Sequence, residues 1–147
     1  MDKKTRFAII REAKKERDKH TPYIWGGVLG QDPGTDCSGL VVGIWARCGV
    51  TPQGYDASAA YLYAALPRIK EPAGGDLCFY GKHGRVTHVT IFVGRSQQTG
   101  QPQCIGANGG NRLSKNILIA KIMRAFVRQV PVFYRKDFVG YGSVKNL

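Results

Sequence analysis

Apolar positions follow two different periods along this chain. From the N-terminus to about residue 66, outside a Gly- and Pro-punctuated loop at 20–35, they recur every three or four residues. From about residue 76 to 107 they crowd into short runs rich in Val, Ile, Thr, Tyr and Phe, separated by glycine turns. The first period predicts a charged amphipathic helix over residues 4–19, with Phe7, Ile10 and Ala13 inward. It predicts a second helix over 37–48, where Leu40, Val41, Ile44, Trp45 and Cys48 share a spacing, Asp36 stands as N-cap and Gly49 as stop. A third helix is expected over 57–66, opened by Ser58 or Asp56. Strands are expected at 76–80, 86–93 and 102–107, the first two forming a hairpin through Gly81-Lys-His-Gly. Residues 115–124 favour a helix, through Leu118, Lys121, Ile122 and Arg124. A last strand over 126–134 carries Pro131, which places it at a sheet edge. Helices first and an antiparallel sheet after make an α+β fold.

With 147 residues and 43% hydrophobic content, the chain can close one core, so residues 1–147 are expected to form a single domain. The basic opening segment is not followed by a long apolar stretch, and no run reaches membrane-spanning length. The expectation is a protein made in a cytoplasm without a signal peptide. The net charge of +12, from 22 basic and 10 acidic residues, suggests an anionic partner. No recognition helix, finger or aromatic single-strand motif accompanies the spread bases, so no specific nucleic acid is expected. A solvated basic surface explains them equally well. Cys37, Cys48, Cys78 and Cys104 lack metal-type spacing with histidine, which predicts free thiols, no metal and no cofactor. Cys48 and Cys78 read as small buried hydrophobes.

One cysteine stands apart. Cys37 follows the capping Asp36 and sits in the first turn of its helix, where the dipole and unpaired N–H groups favour a thiolate. A nucleophile there needs a base. His20 lies in a polar stretch and His83 in a glycine-flanked turn. His88 lies inside Arg85-Val-Thr-His-Val-Thr-Ile-Phe-Val, a rigid strand able to hold an imidazole toward a helix terminus. Cys37 and His88 are therefore the expected nucleophile and base.

Tyr23-Ile-Trp-Gly-Gly, Asp36-Cys-Ser-Gly-Leu, Gly75-Asp-Leu-Cys-Phe-Tyr-Gly and Arg85-Val-Thr-His-Val-Thr-Ile-Phe-Val-Gly occur in that order. Together they resemble the NlpC and p-sixty group of cell-wall cysteine peptidases, over roughly residues 5 to 110. The resemblance implies a papain-like core and hydrolysis of a peptidoglycan stem-peptide amide, at the bond between γ-D-glutamyl and a diamino acid. An N-acetylmuramoyl-L-alanine amidase or a papain-like acyltransferase would use the same machinery, and a structural phage tail-tip protein is the non-enzyme alternative. The tail from Ala125 resembles bacteriophage members. That implies an endolysin acting in the periplasm or cell wall after holin-type release, or a virion-associated lysin, working as a monomer. A single catalytic domain with no separate wall-binding domain is the expectation. Peptidoglycan is the expected partner, with the anionic envelope surface as a further one.

The resemblance also assigns roles around the dyad. Tyr23 matches a position whose hydroxyl lines the site, which makes it the candidate second oxyanion donor beside the Cys37 N–H, with a packed loop aromatic as the other reading. Asp36 and Ser38 match residues that bind a substrate's free amine, although helix capping alone would account for Asp36. Trp25 is expected to shape its loop rather than contact substrate. Many relatives orient the base with a second histidine on a strand, and here that position is Gly106. By strand alternation Asn108 faces the same side, so its side-chain oxygen either accepts from the imidazole or supports the turn before Gly109. A backbone carbonyl, a water, or an unassisted dyad are the other arrangements.

Overall fold

The computed structural model describes all residues, 1–147. Helix α1 (Lys3–Asp18) is capped by Asp2, α2 (Cys37–Arg47) by Asp36 and α3 (Ala59–Ala65) by Ser58, each cap accepting from a backbone N–H of the first turn. Strands β1 (Arg68–Ile69), β2 (Leu77–Lys82), β3 (Arg85–Arg95) and β4 (Pro102–Asn108) follow. Helix α4 (Ile117–Met123), β5 (Phe126–Pro131), a 3-10 turn at Val132–Tyr134 and β6 (Phe138–Gly142) complete the chain. The strands form one antiparallel sheet in the order β1-β6-β2-β3-β4-β5. The α+β expectation therefore holds, and β5 with its terminal Pro131 lies at an edge.

Strand alternation gives the sheet two apolar faces. Leu77, Phe79, Val89, Ile91, Ile105, Ala107 and Val127 join Ile9, Leu40, Val41, Ile44 and Leu62 in the larger core, under the helices. Cys78, Tyr80, Phe92, Cys104, Val132 and Tyr141 form a smaller core on the other face. Buried carboxylates tie the layers together. Glu16 accepts from Thr21 Oγ1 at 2.7 Å and Arg47 at 3.0 Å, joining α1 to α2. Asp76 accepts from Arg6 at 3.0 Å, Ala73 N at 2.8 Å and Val144 N at 2.9 Å, so the Gly75-Asp-Leu motif is an anchor between α1, β2 and the C-terminal segment. No helix is long and apolar enough to cross a membrane.

Four local expectations are corrected. Phe7 is 72% exposed while Ile9, Ala13 and Glu16 are buried. The inward stripe of α1 is thus offset from the one expected, because Glu16 is drawn in by its partners on α2 and the following loop. Cys48 caps the end of α2 and is only half-buried. The last expected strand stops at Pro131, where the missing N–H ends the ladder, and turns into the 3-10 segment. Strand β6 went unrecognised, and it inserts between β1 and β2.

Candidate active site

Helix α2 begins against the sheet where two strands part. The register of β3 with β4 runs from Arg95/Pro102 to Ile91/Ile105 and goes no further. Beyond it Thr87, His88 and Ala107–Gly109 line a cleft of about 280 Å³ together with Tyr23, Trp25, Tyr134 and Arg135. Cys37 reaches this gap from the helical side. Its Sγ lies 3.9 Å from the carbonyl oxygen of Thr87, the residue before His88. His88 projects from β3 toward the opposite face, the one lined by Tyr80. Cys37 thus touches the backbone of β3 one residue before the position that carries His88.

The loop before α2 is shaped for this approach. Asp36 Oδ1 accepts from Gly39 N at 2.7 Å and from Ser38 Oγ at 3.4 Å, and the Asp36 N–H donates to the Gly27 carbonyl at 2.9 Å. Gly39 has to be glycine, since a Cβ there would stand 2.1 Å from the Gly27 carbonyl oxygen. The structure therefore places Asp36 and Ser38 in a capping network at the cleft's helical wall. Because Cys37 opens the helix, its N–H has no intrahelical acceptor and is available to an oxyanion. Tyr23 is buried beside it, with burial, the Cys37 sulfur and the Asp36 carboxylate all disfavouring ionisation of its phenol. Its ring is covered by Gly110, where a Cβ would come within 2.1 Å of the ring. Trp25, by contrast, is 51% exposed and lines both the cleft and a wider groove with Arg112, Leu113 and Lys115. Its ring is thus part of the cleft wall as well as of the loop that carries it.

His88 is held by two side chains. Asn108 Oδ1 lies 2.9 Å from Nε2, and the Tyr134 hydroxyl lies 3.0 Å from both Nε2 and Asn108 Oδ1. Of the arrangements considered for the base, the structure thus has Asn108 at hydrogen-bond distance. A side chain at Gly106 would crowd Thr90, since a Cβ there would lie 2.5 Å from Thr90 Cγ2. Tyr134 escaped the sequence reading. In sequence it falls at the end of an expected strand, in the tail from Ala125, with no local pattern that links it to His88.

Electrostatics correct a second expectation. Burial pushes the Cys37 thiol up to about 11, and the neighbouring Asp36 carboxylate adds to this. Desolvation here outweighs the helix-start effect that argued for a thiolate. Burial, reinforced by the Arg135 guanidinium, takes His88 down to about 4. The resting pair is therefore a thiol and a neutral imidazole, with the thiol near the Thr87 carbonyl. Attack requires Sγ to turn toward the imidazole and transfer its proton. No group of three or more His, Cys, Asp or Glu side chains is placed to hold a metal ion.

Residues 20–130 match the profile of the NlpC/P60 family. Among curated proteins, the bifunctional muramidase/DL-endopeptidase CwlT of Bacillus subtilis (strain 168) is 36% identical over 94 residues, covering 60% of this chain and 27% of that protein. The peptidoglycan endopeptidase RipA of Mycobacterium tuberculosis is 35% identical over 92 residues, covering 55% of this chain and 19% of that protein. The chain thus spans under a third of the length of each. Among solved structures, the NlpC/p60 domain of the peptidoglycan hydrolase SagA superimposes with a TM-score of 0.63 at 26% identity, covering 94% of this chain and 97% of that one. A lipoprotein-like NLP/P60 protein from Staphylococcus aureus gives 0.70 at 23% identity, covering 98% of this chain and 42% of that one, a likeness of fold.

Proposed function

The chain belongs to the NlpC/P60 family, and on that premise we propose that it is a cysteine peptidase that cuts an amide bond in the peptidoglycan stem peptide. The observation that carries the reading is the placement of Cys37, at the capped start of α2, with its Sγ 3.9 Å from the carbonyl oxygen of Thr87, the residue next to a His88 that is held by Asn108. Cys37 Sγ attacks the amide carbonyl carbon as its proton passes to His88. The Cys37 N–H, with Tyr23 beside it, faces the oxyanion. Collapse breaks the C–N bond, and the imidazolium returns the proton to the leaving amine. Water, deprotonated by the same imidazole, then hydrolyses the thioester and frees the thiol.

The finer reading is cleavage between γ-D-glutamyl and the diamino acid. Its support is the DL-endopeptidase activity named for one relative, together with a groove rimmed by Trp25, Arg112 and Lys115 that suits a carboxylate-bearing peptide. We further propose that the protein serves phage lysis or entry, reaching the wall after holin-type release or on a particle. The resemblance of the Ala125 tail to bacteriophage members supports that setting. The basic surface, at +12 overall, suits approach to the anionic envelope.

Mass spectrometry of fragments released from purified peptidoglycan tests the reading. The expected products expose a new amine on the diamino acid and a new carboxylate on D-glutamate, and Cys37→Ser yields none of them. Intact stem peptides freed from the sugar would make the enzyme an amidase instead. A folded protein that releases no fragment would overturn the proposal.

A further inference from the structure

The bond from Asn108 to His88 is part of a triangle, and the third corner is Tyr134. Three atoms, His88 Nε2, Asn108 Oδ1 and Tyr134 Oη, lie 2.9 to 3.0 Å apart in every pairing. Hydrogen accounting limits what they can do. The amide oxygen has lone pairs and no proton, so it can accept from both of the others. With both hydrogens on Oδ1, Nε2 is the protonated nitrogen and Nδ1 carries the lone pair. That tautomer is the one that can take a proton from a nucleophile reaching the other end of the ring. If instead the hydroxyl donated to a bare Nε2, the proton would sit on Nδ1 and the base would be blocked.

Asn108 is poorly held for this task by itself. Its Nδ2 is buried without a hydrogen-bond partner, so nothing on that side fixes which end of the amide faces His88. A reversed amide would present N–H to Nε2 and demand the wrong tautomer. The Tyr134 hydroxyl adds a donor that Oδ1 can satisfy. Its own placement is rigid. Pro131 ends β5, the 3-10 turn folds Tyr134 back over the sheet, and Tyr80 Oη donates to the Val132 carbonyl at 2.7 Å within that turn. The Tyr134 ring meets the Tyr80 ring edge-on at 5.6 Å, and the Tyr80 ring in turn lies 5.4 Å from the imidazole. The next residue is braced as well, by the paired contacts of Arg135 with Asp137 at 2.6 and 2.8 Å.

We propose that Tyr134 is a positioning residue that, with Asn108, fixes His88 in the Nε2-protonated tautomer and does from the 3-10 turn the work that the glycine at position 106 cannot do from the strand. This rests on the proposed cysteine-peptidase reading for its effect on turnover, but its structural content does not.

The experiment therefore has two readouts. The first is the ¹⁵N spectrum of His88 in the free, full-length protein, which distinguishes the two tautomers without any substrate. The native protein is expected to show Nε2 protonated and Nδ1 bare, and Tyr134→Phe to show a mixture. The second is steady-state kinetics of Tyr134→Phe, expected to lower kcat about five- to tenfold, the order of one lost hydrogen bond, with KM changed less than twofold. In the double variant with Asn108→Ala, the loss of the hydroxyl should add little further, because both act through one imidazole. Tyr134→Phe keeps the ring and its packing, and a thermal melt checks that the fold persists. An Nδ1-protonated native protein, or a Tyr134→Phe variant with unchanged tautomer and unchanged kcat, would overturn the proposal. Should the protein cut some other bond than the one proposed, or none, the spectrum still decides the role of Tyr134.

Discussion

The protonation state of the buried base can be read from stability alone. His88 has an ordinary value of 6.5, and in the folded protein burial and the Arg135 guanidinium lower it to about 4. Between those two pH values the unfolded chain carries a proton on this imidazole that the folded chain refuses. Stability therefore rises with pH across that window, is complete above about 6.5, and is lost as pH falls toward 4. A gap of about 2.5 pH units at about 1.36 kcal/mol each gives roughly 3 kcal/mol. The imidazole is buried, so little of this is lost to solvent screening. Other groups titrate in the same range, and a His88→Gln variant carries them all except this one. Urea unfolding of both proteins at several pH values from 4 to 7.5 gives two curves, and their difference isolates His88. The native protein should lose about 3 kcal/mol more than the variant on acidification. A flat difference would refute the neutral imidazole. A difference of opposite slope would mean that a Cys37 thiolate holds His88 as imidazolium in the resting protein. The same neutral base predicts that the acid limb of kcat/KM lies nearer 4 than 6.5.

Asn108→Ala should lower kcat by about ten- to a hundredfold with KM little changed, measured by steady-state kinetics; a loss of thermal stability with turnover intact would assign it to the turn before Gly109 instead. Gly106→Ala should destabilise by about 1–3 kcal/mol in urea unfolding, since its Cβ would meet Thr90 Cγ2 at 2.5 Å. Gly106→His should fare worse and gain no activity, and a well-folded, more active histidine variant would contradict the packing described. In partial alkylation at neutral pH followed by peptide mapping, half-buried Cys48 should label first. Cys37, with its raised thiol, should follow in step with inactivation, and Cys78 and Cys104, with no exposed surface, should come last. Labelling of Cys37 ahead of Cys48 would indicate a resting thiolate.

What the sequence determined by itself was whatever depends on contiguous residues. The capped start of α2 at Cys37, the hairpin that carries His88 and the alternation that puts Asn108 on the side of Gly106 all follow from local periods and turn chemistry. These suffice to name a nucleophile, a base and its neighbour. The tertiary structure decided the rest, because each remaining property depends on partners far along the chain. Tyr134 meets His88 across 46 residues only because Pro131 ends an edge strand and the turn folds back. The offset of the α1 stripe, with Phe7 outside and Ile9 inside, is set by where Glu16 finds Arg47 and Thr21. The ionisation of Cys37 depends on distant partners for the same reason. A helix start acts within one turn and is visible in sequence. The burial that opposes it comes from the sheet at Thr87 and the loop of Tyr23, and their desolvation of the thiol arises only once they are packed together.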